Sequence, residues 1–149
     1  ISSDDSRKII GSSIELGRSM FEKSKKISLP PLITKKSDMW GFEQPISTPN
    51  FITQKTVVGK VENNLSDRAK LKGAVVCIPN ADPGFDWLFS CQIGGLITAW
   101  GGANSHMAIR AGELGLPAVI GVGDRMYSAW SKCSILRLDC ASKKVDQIN

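Results

Sequence analysis

His106 is the single histidine of this 149-residue chain, and it closely follows the glycine pair Gly101-Gly102. Asn104 and Ser105 stand just before it and are residue types that begin helices as N-caps. The first backbone N–H groups of a helix have no partner within it and attract anions, phosphate in particular. The positive end of the helix dipole also favours a neutral imidazole, which is the nucleophilic form. The pattern therefore fits a phosphoryl-accepting histidine, although a capping or core histidine fits the residues equally well.

Other reactive motifs are missing from the sequence. It contains neither the G-x-x-x-x-G-K-[ST] phosphate loop nor the G-x-S-x-G nucleophile elbow. Gly121 and Gly123 follow a predicted strand, but Met126 stands where a dinucleotide fingerprint needs its third glycine. Four cysteines without a C-x-x-C pair, beside one histidine, predict reduced core thiols rather than a zinc site or disulfides.

The sequence shows no cluster of carboxylates that could bind Mg²⁺, so it predicts no metal site. We also expect no carboxylate to assist the ring of His106, whose attack would rely on position and on the helix N-terminus. Three acidic residues are expected to cap helices or form turns: Asp82, Asp86 and Asp139.

The segments around the glycine pair alternate as in an α/β fold. A buried strand over 94–100 precedes the pair, and a helix that starts at Asn104 or Ser105 runs to Leu114, with Gly115 as its stop. A strand over 116–122 follows. This is a βαβ unit, which is parallel and right-handed. Further strands are predicted over 54–61, 73–78, 135–140 and 144–148, and short helices over 85–93 and 126–130.

The first third of the chain has a different sequence pattern from the rest. Apolar residues at helical spacing predict a helix that begins near Ser3, and Pro30-Pro31 forbids its continuation. Prolines recur through residues 27–53, and this pattern predicts an extended connector that lies against a surface. We therefore predict two parts: an N-terminal helix with connector over 1–53, and a folded domain over 54–149. Because the chain begins with Ile1 rather than methionine, we expect it to be a fragment of a longer protein.

The composition excludes several protein classes. With 42% hydrophobic and 22% charged residues, the chain is typical of a globular protein rather than a disordered or fibrous one. No apolar run is long enough for a membrane span, and no signal peptide is visible, so we expect a cytoplasmic protein without membrane contact. The net charge of +5 suits an anionic ligand. The basic residues are scattered and not interleaved with aromatic ones, which argues against nucleic-acid binding.

A long ordered stretch around His106 reads Gly101-Gly102-x-x-Ser105-His106-x-Ala108-Ile109-x-Ala111-x-Glu113-Leu114-Gly115-Leu116-Pro117-Ala118-Val119-Ile120-Gly121. The turn and strand upstream of it read Pro79-x-x-Asp82-Pro83 and Ile93-Gly94-Gly95-Leu96-Ile97-Thr98. Together these segments resemble the phosphohistidine signature of the phosphoenolpyruvate-utilising enzymes, and the similarity covers roughly residues 55 to 140. This family includes phosphoenolpyruvate synthase, pyruvate phosphate dikinase, the first enzyme of the sugar phosphotransferase system and rifampicin phosphotransferase.

The resemblance implies a mobile, swivelling domain of three layers, β/β/α. It implies that His106 is the catalytic residue, transiently phosphorylated, and that it shuttles phosphate between an ATP-grasp domain and a pyruvate- or phosphoenolpyruvate-binding domain of the parent protein. Mg²⁺ would be bound at those partner domains. The reaction would resemble that of phosphoenolpyruvate synthase. A pyruvate phosphate dikinase, a rifampicin-type drug phosphotransferase and a non-catalytic module that retains the fold are the alternatives.

The residues and the resemblance together predict a phosphate-binding set around His106, in which Arg110 has an alternative role. Arg110 comes four residues after His106 and would share its helix face. Its guanidinium matches phosphate geometry and can balance the charge of a phosphorylated imidazole. The family usually has an arginine where Gly112 stands, so a surface arginine or an interdomain contact is the alternative. The predicted set comprises Gly101, Gly102, Asn104, Ser105 and Arg110.

Overall fold

A computed structural model of the chain describes residues 3–26 and 48–148, with side chains in the first range described from residue 9 onward. Backbone contacts divide the chain into two units, Ile1–Pro45 and Ile46–Asn149, and each unit is described by itself. Most of the predicted connector, residues 27–47, lies outside the described residues. The boundary predicted between residues 53 and 54 stays a prediction.

The predicted N-terminal helix is confirmed as α1, Ser3–Ser24. Lys23 lies in its last turn, where a positive charge suits the negative end of the helix dipole. None of the described helices is long and apolar enough to cross a bilayer. Six large apolar side chains of α1 are exposed: Ile9, Ile10, Ile14, Leu16, Met20 and Phe21.

The second unit is built on one curled, seven-stranded sheet with the order β1-β5-β4-β3-β2-β6-β7. Strands β2, β3, β4 and β5 are parallel neighbours, whereas β1, β6 and β7 pair antiparallel. Strand β2 pairs with β6 through residues 56–60 and with β3 through residues 61–62, so the sheet curls at this strand. The strands are β1 Asn50–Ile52, β2 Thr56–Glu62, β3 Val75–Asn80, β4 Gly95–Trp100, β5 Ala118–Ile120, β6 Ile135–Asp139 and β7 Lys144–Ile148.

The helices of this unit are short. They are α2 Arg68–Leu71, a 3-10 helix Pro83–Cys91, α3 His106–Glu113 and α4 Gly123–Trp130. The predicted βαβ unit is confirmed, because β4 and β5 are parallel and α3 connects them. The predicted mixed α/β fold with an N-terminal helix is likewise confirmed.

The parallel strands lie between two hydrophobic cores. Alternate side chains of β3 point to opposite faces, so that Val76 and Ile78 join one core while Val75 and Cys77 join the other. The first core also holds Leu88 of the 3-10 helix and side chains of α3; the second holds residues of β6 and touches α4. Both faces of β3, β4 and β5 are therefore covered, which explains their continuous apolar runs.

Two elements were not predicted from the sequence. Strand β1 falls in the segment interpreted as connector, yet its Phe51 pairs with Val119 of β5. Its three residues are too few for a periodic pattern. Helix α2 has only four residues, and Asp67 begins it by accepting a hydrogen bond from the Ala69 N–H at 3.2 Å.

Candidate functional site

The predicted site residues lie at the carboxyl edge of the parallel strands. Strand β4 ends at Trp100, and the loop over 101–105 leads into α3, whose first residue is His106. The neighbouring strand β3 ends at Asn80 and continues into the 3-10 helix that carries Asp86. Because parallel strands end at the same edge of a sheet, these two connections meet there. The Nε2 atom of His106 lies 2.8 Å from Oδ1 of Asp86.

The two glycines of the pair have different roles. Gly101 has a φ of +134°, and a Cβ there would lie 2.5 Å from the Cβ of Ala81. The Ala81 N–H donates to the Trp100 carbonyl at 2.9 Å, so the connections after β3 and β4 are packed directly together. A Cβ at Gly102 would meet nothing within 4 Å. Gly101 therefore serves close packing, while Gly102 leaves the approach to the start of α3 open.

Ser105 occupies the N-cap position of α3, but its side chain makes no capping hydrogen bond. Its Oγ is buried and has no hydrogen-bond partner among the described residues. The Ser105 N–H donates instead to the Gly102 carbonyl at 3.0 Å, which tightens the loop. Asn104 is exposed beside it. The loop and the first turn of α3 thus bring four of the five predicted phosphate-binding residues together, and phosphate binding itself stays a prediction.

Four side chains form one polar network at this edge. Besides the contact with His106, Oδ1 of Asp86 accepts from Nε of Arg110 at 3.4 Å, and Nη1 of Arg110 donates to Oε2 of Glu113 at 2.8 Å. Arg110 and His106 share one face of α3, as predicted. The guanidinium binds two carboxylates in this structure, so a role in balancing a phosphorylated imidazole stays a prediction.

The electrostatics of the network favour an ionised Asp86. The hydrogen bond from His106 is the main cause that holds the pKa of the Asp86 carboxyl below its usual range; burial opposes it, and the attraction of Arg110 adds to the lowering. The hydrogen bond to Glu113 is the main cause that raises the pKa of Arg110. The side chains of His106 and Asp86 are 41% and 45% exposed, so the network adds little to folding stability and acts by orienting groups.

The structure places a carboxylate at His106 that the sequence did not predict there. Asp86 was interpreted as a cap or turn residue, yet it binds the imidazole across 20 positions of sequence. The contact between these two residues depends on the pairing of β3 with β4, and the local sequence pattern does not show which strands pair. The signal available in the sequence was that Asp86 and His106 each follow a predicted buried strand. Asp82 caps the 3-10 helix by accepting from the Gly84 N–H at 2.7 Å, and Asp139 stabilises the turn after β6 by accepting from the Ser142 N–H at 3.0 Å.

The buried thiol of Cys77 is a poor nucleophile. The four cysteines are unpaired, and burial raises the pKa of Cys77 to about 12, so it stays protonated. Within residues 3–26 and 48–148, no group of three or more His, Cys, Asp or Glu side chains is arranged to hold a metal ion. The imidazole at the start of α3, in contrast, is exposed.

Substituting each glycine of the pair by alanine should separate their roles. Gly101→Ala places a Cβ against Ala81 and strains a positive φ, so we expect a loss of about 2 kcal/mol or more in the free energy of unfolding. Gly102→Ala should change it by less than about 0.5 kcal/mol, because the Cβ enters open space. Urea denaturation of both variants measures this. Equal losses would contradict the division of roles.

Removal of the Ser105 hydroxyl should not destabilise the domain, because this hydroxyl makes no capping hydrogen bond. Ser105→Ala deletes a buried, unpaired oxygen, so the free energy of unfolding should be unchanged or slightly raised. Asp82→Ala is the matched control, because Asp82 does cap the 3-10 helix, and its removal should cost about 0.5–2 kcal/mol. Thermal or urea unfolding compares them. A loss of similar size at Ser105 would show that its hydroxyl does bind in solution.

The comparisons with known proteins agree with this fold and with the predicted motif. No curated protein matches the chain. A solution NMR structure titled as a UPF0107 protein, from the Northeast Structural Genomics Consortium, is similar in fold, with 13% sequence identity and a TM-score of 0.50. The match covers 68% of this chain and 100% of that one. Residues 70–143, which include the whole polar network around His106, match the family model described as the mobile domain of PEP-utilising enzymes.

Proposed function

We propose that this chain contains the phosphoryl-carrier domain of a multidomain phosphotransferase and that His106 is the residue transiently phosphorylated. The observation that carries the proposal is the position of this histidine, at the first residue of α3, with one ring nitrogen bound to an ionised carboxylate. The matched family, whose name implies the use of phosphoenolpyruvate, supports the same role.

The exposure of the site suits a carrier. The His106 side chain is 41% exposed, and the loop residues before it, 101–104, are exposed as well. A phosphoryl donor and an acceptor on other domains can therefore reach the same ring without an opening of the core. The first backbone N–H groups of α3 and the positive end of the helix dipole both attract an anion to this position.

The chemistry supplied by this chain is limited to the nucleophile and its surroundings. We propose that an ATP-grasp domain donates the phosphoryl group and that a pyruvate- or phosphoenolpyruvate-binding domain exchanges it, as in a phosphoenolpyruvate synthase. Mg²⁺ would be held in those partner domains and would neutralise phosphate charge there. A dikinase or a drug phosphotransferase would use the same carrier with a different final acceptor.

Phosphorylation of the parent protein tests the carrier role. We expect mass spectrometry after incubation with ATP or phosphoenolpyruvate to find an acid-labile phosphate on His106, the only histidine of this chain. The label should disappear from the peptide in His106→Gln, whose amide cannot form the phosphoryl intermediate. An unchanged melting temperature serves as the control for folding.

Two results would overturn the proposal. Acid-labile phosphate that persists in this chain after His106→Gln would place the carrier elsewhere. An unphosphorylated wild-type protein, in the presence of donors that phosphorylate a known carrier domain under the same conditions, would favour the non-catalytic module.

A further inference from the structure

We propose that Trp100 is a recognition residue, through which the domain that holds the nucleotide donor docks onto this carrier. The inference rests on the proposed carrier function and names a residue that makes the transfer depend on a protein partner. The feature behind it is an exposed indole at the end of β4, directly before the glycine pair.

Trp100 is the exposed end of an otherwise buried strand. It is 53% exposed, whereas the other residues of β4 are buried. Trp87 and Trp130, the other two tryptophans that the structure describes, pack against the two hydrophobic cores. A large aromatic side chain in water gains free energy when a partner covers it, and tryptophan is enriched among the residues that dominate binding at protein interfaces. The exposed indole is therefore suited to contact a partner.

The backbone that carries this indole is fixed by the sheet. The Trp100 carbonyl accepts from the Ala81 N–H at 2.9 Å and from the Thr98 hydroxyl at 3.0 Å. Trp100 also pairs with Asn80 in the register of β3 and β4. A contact residue held in this way loses less conformational freedom on binding than one in a mobile loop. The backbone of Trp100 is thus in place before a partner binds.

The register of β4 places the indole on the side of the sheet that carries His106. Leu96 joins the core lined by the 3-10 helix and α3, while Ile97 joins the opposite core. Because alternate residues of a strand face the same way, Trp100 lies on the side of Leu96. Ile109, one turn after His106 on α3, is half-exposed. Apolar surface is therefore present on both the strand and the helix that the loop before His106 connects.

The proposed transfer brings a partner over this surface. A phosphoryl donor must come within about 3–3.5 Å of the attacking ring, so the domain that holds the nucleotide has to cover the surroundings of His106. The polar network there offers that domain no net positive charge, because the Arg110 guanidinium is bound to two carboxylates, Asp86 and Glu113. Docking of the unphosphorylated carrier therefore relies on apolar contact, to which Trp100 contributes a large side chain.

The phosphorylated carrier is recognised by different means. Its phosphoryl group adds up to two negative charges, which cationic groups of an acceptor site attract directly. An apolar contact then matters less for docking. We therefore assign the indole to the domain that holds the nucleotide rather than to the domain that receives the phosphoryl group.

Two donors separate recognition from the chemistry of the ring. In the parent protein ATP is presented by a domain, whereas phosphoramidate is a small donor that needs none. In Trp100→Ala we expect the single-turnover rate of His106 phosphorylation by ATP to fall about tenfold or more, as for a central interface residue. The rate with phosphoramidate should stay at the wild-type value. Mass spectrometry of the peptide that contains His106 measures both rates.

Val58→Ala is the matched control. Val58 is 55% exposed, but it lies in the middle of β2, where it pairs with Arg137 of β6. Both rates should equal those of the wild type in this variant. Trp100→Phe should retain part of the rate with ATP, because an aromatic ring remains. The phosphoramidate rate also reports whether each variant still presents a folded site.

Three results would overturn the inference. The first is an unchanged rate with ATP in Trp100→Ala, and the second is an equal loss with both donors, which would place the effect at the ring itself. The third is normal labelling by ATP with slower removal of the label by pyruvate, which would assign the indole to the acceptor domain. A wild type that phosphoramidate labels but ATP does not would instead refute the proposed function, and the inference with it.

Discussion

The parallel pairing of β3 with β4 is the constraint on which the site depends. It ends both strands at one edge, where the Ala81 N–H binds the Trp100 carbonyl and Gly101 lies against Ala81. The two connections that leave this edge carry the two partners of the central contact. Without this pairing His106 and Asp86, which lie 20 positions apart in the sequence, would not be held in contact. The sheet therefore positions both partners of the site.

The network at that edge is better suited to orientation than to stability. Its side chains are exposed enough for water to screen their attraction, yet each is fixed at its base by a helix packed on the core. The proposed carrier role requires a histidine that partners can reach at the surface. An exposed ring held by a carboxylate from a neighbouring connection suits that role.

Much of the fold was predictable from the sequence because its signals are local. The buried runs of β3, β4 and β5 stand out as apolar segments, and Gly115, whose φ is +63°, ends α3 as predicted. Short elements such as β1 and α2 carry no period and are fixed by tertiary pairing. The position of His106 at the start of α3 was predictable, but its contact with Asp86 was not, because strand pairing across 20 residues decides it. The pairing likewise decides that Gly101 is a packing residue.

A crystal structure of the full chain after phosphorylation tests the account most directly. The account predicts phosphorus bonded to the imidazole of His106, with phosphate oxygens facing the first backbone N–H groups of α3. Phosphate on another residue of the chain would contradict it.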